Sequence, residues 1–127
     1  MCLIENCADK KDFIKQSKKK RITKFTFWKV VKICNNNYYS TMFSCLYKPG
    51  WNKSDRKHVL NDPFDRGWYI HRGIHVYLTR HKARFNVFCN DCKVIKVICY
   101  LKDFVSCNNK DQEAVFMKVF VPKKELK

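Results

Sequence analysis

The chain has 127 residues and a formal net charge of +16 at pH 7, and 46% of its residues are hydrophobic. The length corresponds to one domain, and the hydrophobic content is too high for a disordered chain. So high a charge opposes folding through self-repulsion, which favours a partner rich in phosphates or acidic side chains. We therefore expect nucleic acid or another anionic partner.

The N-terminal residues bear on where the protein works. Residues 1–24 lack the apolar core of a secretory signal peptide, because lysines and acidic residues interrupt them throughout. No apolar run approaches the roughly 20 residues that a membrane span needs. We therefore expect a protein that is not secreted and has no membrane partner, with its eight cysteines as free thiols in a reducing compartment.

Residues 1–23 are predicted to form a basic N-terminal arm that precedes a single domain of residues 24–127. The arm ends in four consecutive basic residues, 18–21, which either bind phosphates or only add solvated charge. Asp9 is placed to cap a short helix that carries Phe13 and Ile14 on one side.

Residues 24–47 are predicted to form a β-hairpin. The first strand reads KFTFWKVVKIC over residues 24–34, where β-branched and aromatic residues are frequent. Asn35, Asn36 and Asn37 form the turn, because Asn tolerates left-handed backbone angles. Residues 51–66 show no period and are predicted to form a long surface loop with one helical turn at 55–60.

Residues 67–101 are predicted to form the middle of the fold. The expected elements are a strand or strand pair broken at Arg72-Gly73, a helix over 80–88 that Thr79 caps, and a strand over 93–101. A polar turn at 106–110 and a last strand at 113–121 follow. The sum is an α+β domain with a small, mostly antiparallel sheet of five or six strands, one short central helix and room for an N-terminal helix.

The candidate anion-binding residues lie in the basic run and on an arginine- and histidine-rich face. Arginine forks match phosphate oxygens, and Trp51, which stands among basic residues, is a candidate for stacking on a base. The anion-binding candidates are Lys18, Lys19, Lys20, Arg21, Arg66, Arg72, His75, Arg80 and Arg84.

Cys89-x-x-Cys92 has the spacing of a zinc knuckle. A structural zinc needs four ligands, and the chain has no second pair at standard spacing, so ordinary thiols at a helix end are favoured. A redox role would need a βαβ context, which the predicted elements do not supply. We expect no metal and no cofactor, with zinc at these two cysteines as the disfavoured alternative.

Two further patterns suggest catalysis, and both are incomplete. His71 and His75 would share one face of a strand, but no carboxylate is placed to orient either imidazole. Cys2 would become an N-terminal nucleophile only if Met1 were removed. A binding protein is therefore favoured over an enzyme, with a small hydrolase or nuclease that uses His or Cys2 as an alternative.

Several short motifs occur in a familiar order: Met1-Cys2-Leu3, then Trp-Lys-Val-Val at 28–31, Tyr-Tyr-Ser at 38–40, Tyr-Lys-Pro-Gly at 47–50 and Gly-Ile-His-Val-Tyr at 73–77. In this the chain resembles a loosely defined group of small, uncharacterised proteins of phages, bacteria and large DNA viruses. The resemblance implies a viral or mobile-element origin, hence the host cytoplasm or a virion, and implies no activity.

These observations favour a small viral binding protein that engages nucleic acid, or a nucleotide, through its basic arm and its Arg/His face. The alternative from another class is a structural or interaction protein. It would be a component of a viral capsid, or an inhibitor that docks on an acidic host protein.

Overall fold

The computed structural model describes residues 3–4, 6–40, 46–54, 59–61, 68–70 and 73–126, and it describes only the backbone of 3–4, 59–61 and 68–70. The described chain forms two α-helices and twelve strands. The helices are α1 (Cys7–Lys19) and α2 (Arg80–Phe85). The strands are β1 (Leu3–Ile4), β2 (Lys24–Cys34), β3 (Asn37–Ser40), β4 (Leu46–Tyr47), β5 (Gly50–Lys53), β6 (Val59–Asn61), β7 (Trp68–Ile70), β8 (Ile74–Tyr77), β9 (Cys92–Tyr100), β10 (Phe104–Asn108), β11 (Glu113–Phe116) and β12 (Lys118–Val121). Single 3₁₀ turns cover Leu101–Asp103 and Lys123–Leu126.

The larger sheet is organised around β2. One side of β2 pairs with β9 over nine residues, from Lys24 opposite Tyr100 to Lys32 opposite Cys92. Its other side pairs with β8 at Trp28 and with β3 from Val31 onward. The order across the sheet is β10-β11-β8-β2-β9-β12-β5, with β3 and β4 beside β2, and a smaller sheet has the order β1-β7-β6.

The fold class is confirmed as α+β with an antiparallel sheet, but the prediction of five or six strands is wrong. The larger sheet has nine strands among the described residues. The N-terminal helix is present and, at 13 residues, is the main one, whereas the central helix has six. The predicted division into residues 1–23 and 24–127 stays a prediction; α1, in the first segment, contacts β10 in the second.

One face of the larger sheet carries the hydrophobic core, and α1 lies against it. Phe13 of α1 stacks on Phe104 with ring centroids 4.3 Å apart and lies 5.0 Å from the ring of Phe25. The alternate residues of the strands that face α1 are almost completely buried, as period-two side chains on a covered face should be. They include Phe27, Val31, Ile74, Val76, Ile95, Val97, Cys99, Ala114, Phe116, Val119 and Val121.

Both ends of α1 are capped, but not as predicted. Asn6, and not Asp9, is the N-cap: its side-chain oxygen accepts a hydrogen bond from the Asp9 N–H at 3.0 Å. At the C-terminal end the Ile22 N–H donates to the Ser17 carbonyl at 2.9 Å, while Arg21 takes a left-handed φ of 56°. This is the Schellman arrangement, in which glycine usually occupies the left-handed position.

The cap of α2 is confirmed, and so is the hairpin turn at Asn35 and Asn36, whereas Asn37 begins β3. Asn35 and Asn36 have φ angles of 51° and 65°, which suits a two-residue hairpin turn with both central residues left-handed. The Thr79 side chain accepts a hydrogen bond from the Lys82 N–H at 3.2 Å. Helix α2 ends at Phe85, three residues earlier than predicted.

The long loop was a wrong prediction where strands form by backbone pairing, and the polar turn predicted at 106–110 is confirmed only at 109–110. Residues 50–53 form β5 against β12, and residues 59–61 form β6, whereas most of the predicted helical turn lies outside the described residues. Residues 104–108 form β10, in which Ser106 and Asn108 are buried. The predicted last strand is two strands, divided at Met117, whose N–H donates to the Asp103 carbonyl at 2.8 Å.

Candidate nucleic-acid interface

The face of the larger sheet opposite the core has a covered part and an open part. Helix α2 contacts β2, β8 and β9, and beneath it Val30 is only 4% exposed while Ala83 of the helix is fully buried. On β9, β12 and β5 the side chains of this face are half-buried or exposed. We call this open part the platform. It consists of Trp51, Ile98, Tyr100 and Phe120 with Lys24, Lys53, Lys96 and Lys118.

The strand register places these side chains on one surface. Trp51 on β5 lies opposite Phe120 on β12, and Phe120 lies opposite Ile98 on β9. Directly opposed residues of paired strands point to the same face, and so do residues two positions apart along a strand. A row of apolar side chains therefore crosses three strands that are far apart in sequence.

Trp51 is the centre of the platform. Its ring lies 5.4 Å from the rings of Tyr100 and Phe120, centroid to centroid, and the side chain is 50% exposed. The two neighbours support the indole from the sheet, so its free surface is held in place before any ligand arrives. A fixed, exposed aromatic surface on a sheet is the feature on which proteins stack unpaired bases.

Lysines surround the aromatic centre. The Lys118 Nζ lies 5.4 Å from the centroid of the Trp51 ring, and Lys53 lies opposite Lys118 on β5. Lys24 on β2 and Lys96 on β9 have exposed side chains. On this face the strands β2, β5, β9 and β12, which are described in full, carry five lysines and no acidic residue: Lys24, Lys32, Lys53, Lys96 and Lys118. The potential over the platform is therefore positive.

The turn before β5 fixes the position of Trp51. The Asn52 amide nitrogen donates to the Lys48 carbonyl at 2.8 Å, and its amide oxygen accepts from the Lys48 N–H at 3.0 Å. Gly50 makes the turn with a φ of +93°. At the other end of β5, the Ser54 N–H donates to the Met117 carbonyl at 2.8 Å. Both ends of this edge strand are thus held.

The predicted anion-binding residues are distributed over several surfaces. Residues 18–21 are exposed at the C-terminal end of α1, which covers the core face, whereas the platform lies on the opposite face. Arg80 and Arg84 are exposed on α2, beside the platform. His75 is half-buried in β8, and its carbonyl accepts a hydrogen bond from the Lys29 Nζ at 2.7 Å. Arg66 and Arg72 lie outside the described residues, and the role of the whole set stays a prediction.

The sequence singles out Trp51 as a candidate for stacking, but not the residues around it. Tyr100, Phe120 and Lys118 alternate with fully buried residues in β9 and β12. Such an alternation indicates a half-exposed strand face. The aromatic and basic residues on that face are the sequence pattern from which the rest of the platform could have been predicted.

The cysteine pair at 89 and 92 lies at the beginning of β9. Cys89 is exposed, and the pKa of the half-buried Cys92 thiol is raised to about 11, mainly by burial and then by its hydrogen bond with Cys89. Across the part of the chain that the structure describes, no three His, Cys, Asp or Glu residues are placed to hold a metal ion. Cys2 and His71 lie outside it.

A second polar group lies in the part of this face away from the platform. Burial raises the pKa of Glu113, which is 6% exposed, and nearby Asp111 raises it further. Tyr77 lies opposite Glu113, and burial followed by that carboxylate raises the pKa of Tyr77 to about 12. Trp28 lies opposite Tyr77, and its Nε1 is buried without a hydrogen-bond partner.

Comparison of the chain with protein-family models, with curated proteins and with solved structures finds no match. Among the described residues, neither helix has the length and apolar character to cross a membrane. The function must therefore be argued from the platform itself.

Proposed function

We propose that the protein binds single-stranded nucleic acid on the platform, with bases stacked on Trp51 and phosphates held by the surrounding lysines. The observation that carries the proposal is the half-exposed Trp51 ring, fixed between Tyr100 and Phe120 and bordered by Lys118. Unpaired bases offer their flat surfaces to such a ring, whereas a duplex keeps them inside its stack.

The dimensions of the platform suggest a short binding site. From β2 to β5 there are three steps between neighbouring strands. At about 4.8 Å each they span roughly 14 Å, which is room for only a few nucleotides. Stacking does not depend on base identity, so we expect little sequence preference.

The first test is the loss of binding when the stacking ring is removed. Trp51→Ala should weaken binding of a 12-nucleotide single strand by roughly 5- to 150-fold, because one stacked base contributes about 1–3 kcal/mol. The matched control is Phe88→Ala, which removes an aromatic side chain that is 84% exposed and does not belong to the platform. Fluorescence polarisation measures both. Equal effects of the two substitutions would refute a role for Trp51.

The second test is the dependence of binding on salt. Lys118→Gln should reduce the slope of log K against log [salt] by about 0.7, the value for one phosphate contact on a single strand. Lys110→Gln, in the exposed turn between β10 and β11, is the control and should leave the slope unchanged. No binding of either RNA or DNA at about 50 mM salt would overturn the proposal, since charge attraction is strongest there.

The other functional predictions remain open beside this one. A capsid component or an inhibitor of an acidic host protein would use the same positive surface, and the viral origin rests on the resemblance alone. A hydrolase that uses His71 or Cys2 would act through residues outside those described here.

A further inference from the structure

A cavity of about 230 Å³ lies between α1 and the core face of the larger sheet. It is on the side of the sheet opposite the platform, because Phe25 of its lining belongs to the core face of β2. The residues that line it are Asp12, Phe13, Gln16, Ser17, Lys20, Ile22, Phe25 and Asn109.

The apolar part of the cavity is an aromatic floor. Phe13 and Phe25 are half-buried, with ring centroids 5.0 Å apart and ring planes inclined by 42°. Phe104 stacks on Phe13 at 4.3 Å, and Phe27 stacks on Phe25 at 5.6 Å. The floor is therefore supported from behind by the core, and it offers the kind of surface on which a planar ring packs.

The polar part of the lining combines amides with one cation. Gln16 and Asn109 each carry a donor and an acceptor in one side chain, and Asp12 adds acceptors. Lys20 is the C-cap of α1, and its backbone N–H donates to the Gln16 carbonyl at 3.0 Å. Lys20 is the single basic residue of the lining, and Asp12 is the single acidic one.

Two hydrogen bonds hold the walls of the cavity in place. The Asn109 N–H donates to the Asp9 carboxylate at 2.8 Å, which joins the turn after β10 to the first turn of α1. The Ile22 N–H donates to the Ser17 carbonyl at 2.9 Å, which closes the other end of the helix. The cavity is thus formed by α1, β2 and the hydrogen-bonded segments that follow α1 and β10, and it is present before a ligand binds.

We propose that this cavity binds a nucleoside monophosphate. The base packs on Phe13 and Phe25, its polar edge meets the amides of Gln16 and Asn109, and the phosphate meets Lys20. The volume lies below the roughly 300–1,000 Å³ of sites that enclose a whole drug-sized ligand, so the cavity holds the base, while the ribose and phosphate lie at its open rim, where Lys20 is exposed. This site is independent of the platform, from which the sheet separates it.

The experiment is isothermal titration of the full chain with AMP, GMP, CMP and UMP. Three partial ligands are compared with them: adenosine lacks the phosphate, ribose 5-phosphate lacks the base, and inorganic phosphate lacks both the base and the ribose. We expect saturable one-to-one binding of at least one mononucleotide at millimolar concentration or below, and binding weaker by about tenfold or more when base or phosphate is missing.

Two lysines of the chain give a matched pair of variants. Lys20→Ala should weaken mononucleotide binding by about tenfold or more, because a charge-assisted hydrogen bond is lost. Lys19→Ala removes the same charge from the neighbouring exposed position, outside the cavity lining, and should leave binding unchanged. Gln16→Ala should weaken binding of the nucleotide and leave binding of inorganic phosphate unaltered.

Four results would overturn the proposal. Inorganic phosphate that binds as tightly as the nucleotides would show a simple anion site. Equal losses for the two lysine variants would show unspecific attraction, and a loss in Trp51→Ala would assign the nucleotide to the platform. Absence of saturable binding, with binding of single-stranded nucleic acid intact, would reject the cavity site alone.

Discussion

Gly50 and Gly73 offer a direct test of the structure, because they share a backbone conformation and differ in the space around them. Gly73 precedes β8 with a φ of +107°, and a Cβ there would lie 2.4 Å from the Cγ1 of the fully buried Val115. Gly50 begins β5 with a φ of +93°, and a Cβ there would have no atom within 4 Å. Alanine at either position adds backbone strain, but only at position 73 does it also meet a neighbour that must move.

The magnitudes follow from these two terms. An alanine in such a backbone conformation costs about 1–3 kcal/mol at either position. Forcing a methyl group into the buried contact with Val115 adds about 1–3 kcal/mol at position 73. Gly73→Ala should therefore lower the free energy of unfolding by about 2–6 kcal/mol in total, and by about 1–3 kcal/mol more than Gly50→Ala.

Urea unfolding followed by tryptophan fluorescence, with thermal melts by circular dichroism, measures both variants against the parent chain. For a domain of this size, 1 kcal/mol corresponds to a shift in Tm of roughly 4 °C. Equal losses at the two positions would show that Val115 moves aside at no cost and would refute the reasoning. A neutral Gly50→Ala would show that the turn before β5 changes its conformation.

Three further predictions concern the helix end, pH and thiol reactivity. Arg21→Gly should raise the free energy of unfolding by about 1 kcal/mol, because glycine adopts the left-handed conformation without strain, whereas Lys19→Gly in the last turn of α1 should lower it by about 1 kcal/mol. Urea unfolding measures both variants, and a loss of stability in both would contradict the left-handed helix end at Arg21. The pKa of Glu113 is raised above 4.5 on folding, so the folded state holds this proton more tightly, and the free energy of unfolding should fall as pH rises from 4.5 through the folded-state pKa. Glu113→Gln should remove that fall in unfolding experiments between pH 4 and 8, and an unchanged pH profile in this variant would argue against the role of Glu113. Iodoacetamide should modify exposed Cys89 in the native protein, but it should reach Cys99 only after unfolding, because Cys99 is buried and burial raises its pKa. Site-resolved mass spectrometry measures both rates, and equal rates would contradict the burial of β9.

The predictions that succeeded rested on signals that a short stretch carries by itself. β2 occupies the predicted residues 24–34 because its β-branched and aromatic residues suit either face of a central strand. The turn at Asn35 and Asn36 followed from the conformations that asparagine allows, and the start of α2 from the side-chain oxygen of Thr79. None of these needed knowledge of distant parts of the chain.

The predictions that failed concern residues whose surroundings decide their structure. β10 contains Ser106 and Asn108, which indicate a turn when they are considered alone. They are part of a strand because β11 pairs with it, with Ser106 opposite Val115 and Asn108 opposite Glu113. Similarly, β5 has little hydrophobic pattern and exists because β12 offers it backbone partners. Tertiary context overrides local preference in both cases.

The sequence singled out one residue of the candidate site, Trp51, but it could not predict how the site is arranged. The basic and aromatic surroundings of Trp51 suggested stacking, and the structure shows the ring half-exposed. The rings that support it come from β9 and β12, almost 50 and 70 residues further along the chain. Only the strand order brings them together, and no spacing rule within a sequence contains that order.

The central position of β2 also has a consequence for how the chain reaches its native state. Lys24 pairs with Tyr100 and Lys32 with Cys92, so the most extensive strand pair joins segments that are 60 to 76 residues apart. Contacts of such high sequence separation slow folding, to the range of milliseconds to seconds. During synthesis, β2 would leave the ribosome long before β9 exists, with the side chains of Phe25 and Phe27 still unburied. The central sheet can therefore assemble only when most of the chain has been made, and its early strands would be the segments that most need protection from aggregation.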